Sequence, residues 1–158
     1  MPLSNPLTPT PSRLAWFGWG LLLLAILGFS DATFLTIKHY TGGVIPCAIT
    51  TGCEVVTTSK YATVAGIPVA LAGAAFYFVM AVVSILVLDT KAGRWLRLAA
   101  WLSIAGLGAS LYLVMIQVAV LHSYCLYCLL SAGTSTMLWV VSWWGWRWQV
   151  GHLSSTPL

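Results

Sequence analysis

Four long apolar stretches alternate with short polar ones, and their lengths decide what they are. Segments 14–37, 64–88, 98–121 and 124–146 each run 23 to 25 residues; Asp31 alone interrupts the first, and the other three carry no charge. At 1.5 Å per residue, each covers a hydrocarbon core of about 30 Å as a helix. The pattern predicts an all-α integral membrane protein, a bundle of four transmembrane helices. Three further spans follow the first, so segment 14–37 reads as an anchor and not as a cleaved leader. The chain shows no internal repeat.

The connection between the first two spans, 38–63, is neither a clean linker nor a clean helix. In "TTSKYATVAGIPVA", which begins at Thr57, Pro68 suits a helix start but would break the interior of a helix begun at Thr57. The stretch therefore predicts a short surface helix around 58–64, a break near Gly66, and then span two. Such a segment can lie flat over the bundle and roof a cavity. Outside a membrane domain of 13–147 lie the head "MPLSNPLTPTPS" (1–12), rich in Pro, Ser and Thr, and a cytoplasmic tail, 148–158; the head and the closing "SSTPL" read as disordered.

Composition supports the membrane reading and supplies an orientation. Only 6% of residues are charged and 59% are hydrophobic, whereas a soluble domain carries about a quarter charged residues. Nine Trp and five Phe suit anchoring at bilayer interfaces. The net charge of +4 comes from scattered basic residues, a pattern that gives no footprint for nucleic acid. Arg13, Lys91, Arg94, Arg97 and Arg147 flank one side of the bundle, against Lys38 and Lys60 on the other. That excess places both termini in the cytoplasm and the 38–63 loop outside.

All four cysteines then fall on one face. Cys47 and Cys53 lie in the external loop; Cys125 and Cys128 lie in the first turn of span four, at its external end. In a bacterial cell membrane that face is the oxidising one. Residues at i and i+3 of a helix are close enough for a disulfide, and the free N–H groups there favour a thiolate. The other pair, "CAITTGC", spans a short loop that Gly52 lets close without strain. Redox work is the leading reading; two purely structural disulfides are the non-enzymatic alternative. A zinc site with His39 or His122 ranks low, because C-x5-C is not a usual zinc spacing. Asp31, an ionisable group inside a span, is a candidate for proton delivery, with a water-satisfied interfacial carboxyl as the bland alternative. His122, three residues before Cys125, is a candidate for thiolate support, or simply an interfacial histidine.

Two stretches, "PCAITTGCEVVTTSKYATVAGIPVALAGAAFY" and the later "YCLYCLL", resemble the bacterial homologues of vitamin K epoxide reductase. The shared features are the C-x5-C pair, Ser59 six residues after its second Cys, the G-x-P opening span two, and C-x2-C on the last helix. The resemblance implies four helices around a quinone held near Cys125 and Cys128, with Cys47 and Cys53 relaying electrons from a thioredoxin-like partner. It implies an enzyme that oxidises partner thiols, reduces a membrane quinone of ubiquinone or menaquinone type, and so supports disulfide formation. The implied order runs from partner to Cys47, from Cys53 to Cys125, and from Cys128 to quinone. Cys128 lies one helical turn deeper than Cys125, about 4.5 Å, where a lipid-soluble ring is more easily met. By resemblance Ser59 bonds the quinone or a reacting sulfur; a local backbone bond is the alternative.

The departures from the family carry expectations too. Many bacterial members add a fifth helix and a fused thioredoxin-like domain, whereas only 12 residues follow Trp146. The expected partner is therefore a DsbA-like protein in trans. The animal enzyme holds vitamin K through an Asn in the second span and a Tyr four residues after the C-x2-C. Here Asn5 is the only Asn and that fourth position is Ala132, which argues for quinone and against epoxide as substrate. A DsbB-type quinone reductase, the rival enzyme, has the two cysteine pairs in the reverse order. No metal is expected.

Overall fold

The computed structural model describes residues 11–42 and 52–154. Four helices long and apolar enough to cross a membrane make up most of it: α1 (Pro11–Thr41), α3 (Val69–Thr90), α4 (Gly93–Ala119) and α5 (Leu126–Ser154). A single-turn helix, α2 (Cys53–Thr57), and a two-stranded hairpin, β1 (Thr63–Val64) and β2 (Ile67–Pro68), fill the connection between α1 and α3. The expected bundle of four spans with a short helix in the first loop is the observed architecture. Cys47 and most of the head expected to be disordered lie outside the described residues.

The packing of α1 follows from its spacing. Leu14, Gly18, Leu21, Ala25, Gly28, Ala32 and Leu35 recur at alternating intervals of four and three, and all are buried. Four of the seven are Gly or Ala, and small residues on such a stripe let neighbouring helices approach closely in lipid. A methyl group on Gly28 would stand inside the Tyr77 ring, so α1 and α3 fit there only with glycine; one on Gly18 would stand 2.6 Å from Leu88 Cδ2, the end of a side chain that would have to turn aside. Between α4 and α5 a buried Ser103–Ser142 hydroxyl contact of 3.1 Å adds polar adhesion.

Element boundaries differ from expectation where local turn chemistry outweighs hydropathy. The single-turn helix forms at Cys53–Thr57 and not at 58–64, and α3 starts at Val69 and not at 64. Ala65 (φ 51) and Gly66 (φ 79) both adopt left-handed backbone, which makes the tight turn of a hairpin pairing Thr63 with Pro68 and Val64 with Ile67. Thr63, Val64 and Ile67 are β-branched and accept extended backbone readily. Pro68 caps the hairpin and opens α3 at the position that tolerates a missing N–H. At the opposite end, Lys91 in the left-handed region closes α3, and a two-residue turn leads into α4. The last helix starts at Leu126, after the expected 124, and continues to Ser154, past the expected end of span four at 146; the rest of the "SSTPL" tail lies outside the described residues.

Candidate functional site

The start of α5 is where the site is built. Cys125 is the N-cap of that helix: its carbonyl accepts the Leu129 N–H at 3.1 Å, while its own N–H donates to Gln117 Oε1 at 3.0 Å. Gln117 is buried near the end of α4, and its main-chain carbonyl also accepts the Ser123 N–H at 3.2 Å. One amide side chain thus fixes the turn that aims both cysteines. The Cys128 thiol hydrogen-bonds the Cys125 sulfur and is the main cause of a Cys125 thiol lowered to about 7. Burial opposes that shift, the free N–H groups of Cys128 and Tyr127 reinforce it, and the negative charge of Asp31 opposes it. A sulfur at an N-cap occupies the place a serine or aspartate oxygen usually takes, so the helix end stabilises its anion.

The loop pair is represented by Cys53, the first residue of α2. It is fully buried and disulfide-bonded, whereas Cys125 and Cys128 are free thiols. Cys53, Val56 and Cys125 form one buried cluster, with Leu121, Tyr127 and Cys128 packed against it. Gly52 makes this contact possible for a reason other than the expected one. Its backbone is ordinary right-handed (φ −88), but a Cβ there would stand 2.8 Å from both N and O of Tyr124. Only glycine lets the loop lie directly on the backbone that leads into Cys125.

Beneath α2 lies a cavity of about 320 Å³, bounded by α1, α3, α4 and α5. Cys128 lines it and Cys125 does not, so the two sulfurs face different neighbours. Most of the wall is apolar, with Leu35, Phe76, Ala109 and Leu113 among its residues, and polar groups are confined to a few places. Ser59 and Gln117 stand on the wall, and Tyr77, Ser131 and Ser135 line it as well. Phe76 rests directly on Gly106, where a Cβ would overlap its ring. An apolar chamber with a few convergent polar groups suits a small lipid-soluble ring.

The sequence-based candidates divide clearly. Cys53, Cys125, Cys128, Ser59 and Asp31 converge; Cys47 lies outside the described residues. Ser59 faces the cavity but donates its hydroxyl to the Val56 carbonyl at 2.7 Å. Asp31 is half-buried on α1, and its Oδ2 has no hydrogen-bond partner among the described residues. His122 is exposed, in left-handed backbone (φ 47), and is not among the groups that shift Cys125. Sequence reading missed Gln117, Tyr77, Ser131 and Ser135. Gln117 carried a signal, as a lone amide in an apolar span, and so did the two serines at i+3 and i+7 from Cys128. Among the described residues no three His, Cys, Asp or Glu side chains gather as a metal-ligand set.

A membrane bundle that seats a buried disulfide on a helix-capping dithiol, beside an apolar chamber, defines a membrane oxidoreductase. The family model described as Vitamin K epoxide reductase family matches residues 19–143, most of the chain, and the protein belongs to that family. Members of the family depend in general on a quinone. A comparison with curated proteins gives no match.

Proposed function

We propose that the protein is a quinone-linked thiol:disulfide oxidoreductase that oxidises a DsbA-like partner in trans and passes the electrons to a membrane quinone of ubiquinone or menaquinone type. One observation carries this reading: Cys125 packs on Cys53 while Cys128, whose thiol hydrogen-bonds the Cys125 sulfur, lines the cavity. A relay needs a sulfur that meets the donor side and a sulfur that meets the acceptor side, and the two positions divide along that line. A protein with two structural disulfides gives no reason for Cys125 and Cys128 to be free thiols beside an apolar chamber.

The steps balance. Partner thiols reduce a Cys47–Cys53 disulfide through a mixed disulfide at Cys47, and the partner leaves oxidised. The freed Cys53 thiolate then attacks Cys125 of a Cys125–Cys128 disulfide, and exchange returns the loop pair to its oxidised form. The resulting dithiol gives two electrons and two protons to the quinone, yielding quinol and the Cys125–Cys128 disulfide. Asp31, whose charge acts on Cys125, relays one of these two protons from the thiol to the quinone and ends the cycle unchanged. Ser59, with its donor spent on Val56, accepts a hydrogen bond from the quinol. His122 remains a surface residue in this scheme. The bundle sits in a bacterial inner membrane with both termini cytoplasmic and the cysteines external.

Purified full-length protein with a reduced thioredoxin-like substrate and a quinone analogue tests the proposal through quinone absorbance. Turnover should be seen with the wild type and be abolished by Cys128→Ala. Absence of turnover with every reduced partner favours two structural disulfides.

A further inference from the structure

Ser131 and Ser135 stand on the same face of α5 as Cys128, three and seven residues further along, and all three line the cavity. The helix rise puts Ser131 about 4.5 Å beyond Cys128 and Ser135 about 10.5 Å beyond it, along the axis away from the thiol end. Both serines belong to a hydroxyl cluster centred on the buried Tyr77 of α3. Tyr77 Oη lies 2.7 Å from the Ser131 carbonyl oxygen, 2.9 Å from Ser131 Oγ, 2.8 Å from Thr134 Oγ1 and 2.9 Å from Ser135 Oγ. Thr134 Oγ1 donates to the same Ser131 carbonyl at 2.9 Å.

Donors and acceptors can be assigned one by one. If Tyr77 and Thr134 both donate to the Ser131 carbonyl, their own 2.8 Å approach carries no proton, and the phenol oxygen has two lone pairs left for the Ser131 and Ser135 protons. Each serine oxygen then keeps unused lone pairs at the cavity wall. A serine hydroxyl can also rotate toward a ligand, and the phenol oxygen still keeps one donor. The cluster can therefore accept from a ligand hydroxyl or donate to a ligand carbonyl by turning one rotor, without stranding a buried polar group. A ligand that alternates between carbonyl and hydroxyl needs such a surface, and a fixed donor such as lysine would serve only the first form.

We infer that Tyr77, Ser131 and Ser135 form a subsite for the second oxygen of a para-quinone, the one remote from Cys128. The inference rests on the quinone reading given above. Ser131 and Ser135 touch the ligand oxygen, and Tyr77 is a positioning residue that holds them. Gly28 fixes Tyr77 in turn, because no larger residue fits against its ring. The two polar ends of the chamber are separated by about one helical turn from Cys128 to Ser131, a distance suited to one six-membered ring carrying oxygens at opposite ends. The subsite selects ligands with two opposed oxygens over those with one.

Binding of two probes to the full-length oxidised protein in detergent, by equilibrium dialysis, tests this without turnover. The probes are 2,3-dimethyl-1,4-naphthoquinone, with two opposed carbonyls, and 1-tetralone, with one. The wild type should prefer the quinone, and Ser131→Ala/Ser135→Ala should reduce that preference by roughly tenfold, the scale of one hydrogen bond. Intrinsic differences between the probes cancel in the comparison of proteins. The single variants Ser131→Ala and Ser135→Ala each lose part of the preference and serve if the double variant does not fold. Tyr77→Phe, which keeps both serines, loses less than the double variant. A preference unchanged in every serine variant, or absent in the wild type, overturns the subsite alone. A wild type that binds neither probe overturns the quinone reading and the subsite with it.

Discussion

At the residue scale the chemistry turns on what surrounds Cys125. Its sulfur takes a hydrogen bond from the Cys128 thiol and lies at a helix N-terminus, and the first of these does most to bring its thiol down to about 7. The sign of the pH effect follows: the thiolate, the reactive form, grows as pH rises through that value. In the reduced protein, alkylation of Cys125 by iodoacetamide should rise with pH and reach half its maximum near 7. In Cys128→Ala the largest lowering influence is gone, so the half-maximum should move up toward the ordinary thiol range, about 8.5. Mass spectrometry of the Cys125 peptide across pH measures both profiles. An unchanged midpoint in Cys128→Ala would mean that the helix end alone sets the acidity.

At the scale of elements the proposed relay depends on how closely α2 lies on the turn before α5. Replacing Cys128 leaves Cys125 free to hold Cys53, so a Cys53–Cys125 disulfide should accumulate and be found by peptide mapping. Finding only Cys47 bonded to Cys53 in that variant would show that the proposed order of transfer is wrong. Gly52 supplies a sharper form of the same test. A Cβ at 52 would press within 2.8 Å of the Tyr124 backbone, so Gly52→Ala should lift α2 from α5 and keep Cys53 from Cys125. In the Cys128→Ala background, Gly52→Ala should slow formation of the Cys53–Cys125 disulfide by tenfold or more. Exchange between the partner and Cys47 in the loop should continue. Equal rates with glycine and alanine would remove the contact from the relay.

At the scale of the whole molecule the connectivity carries α1 to one end of the bundle, α3 back, α4 out again and α5 back. Cys53, Cys125 and Cys128 therefore gather at one end. Lys91, Arg94 and Arg97 lie at the opposite end, in and after the turn between α3 and α4. This separation is the basis, through the positive-inside rule, of the proposed orientation with the thiols outside. In intact spheroplasts of a bacterial host, Cys47 and Cys125, once reduced, should be labelled by impermeant reagents from the external side, with Cys128 slower because it lies deeper. Labelling of Cys47 only after the cytoplasmic side is opened would reverse the orientation and remove the oxidising compartment.

Length and hydropathy settled the number of spans, because a helix that crosses hydrocarbon must satisfy its own backbone and needs about 20 apolar residues to do so. Spacing placed Cys125 and Cys128 on one helix turn, and the C-x5-C, Ser59, G-x-P and C-x2-C pattern carried the resemblance to the family. Local hydropathy did not locate the surface helix. Gly66 accepts left-handed backbone readily and Ala65 is held there beside it, so 63–68 turns as a hairpin and the chain is extended where a helix at 58–64 would have ended. The roles of Gly52 and Gly28 were hidden for a different reason. Each is glycine because of what stands opposite it, the Tyr124 backbone for one and the Tyr77 ring for the other, and those neighbours come from distant parts of the chain. Tyr77, Ser131 and Ser135 were hidden in the same way, since a tyrosine and two serines in apolar spans have no assigned work until the fold brings them together. Which thiol faces the loop and which faces the cavity was also decided by packing: one sequence motif supplies two sulfurs, and only the helices around them give each a different neighbour.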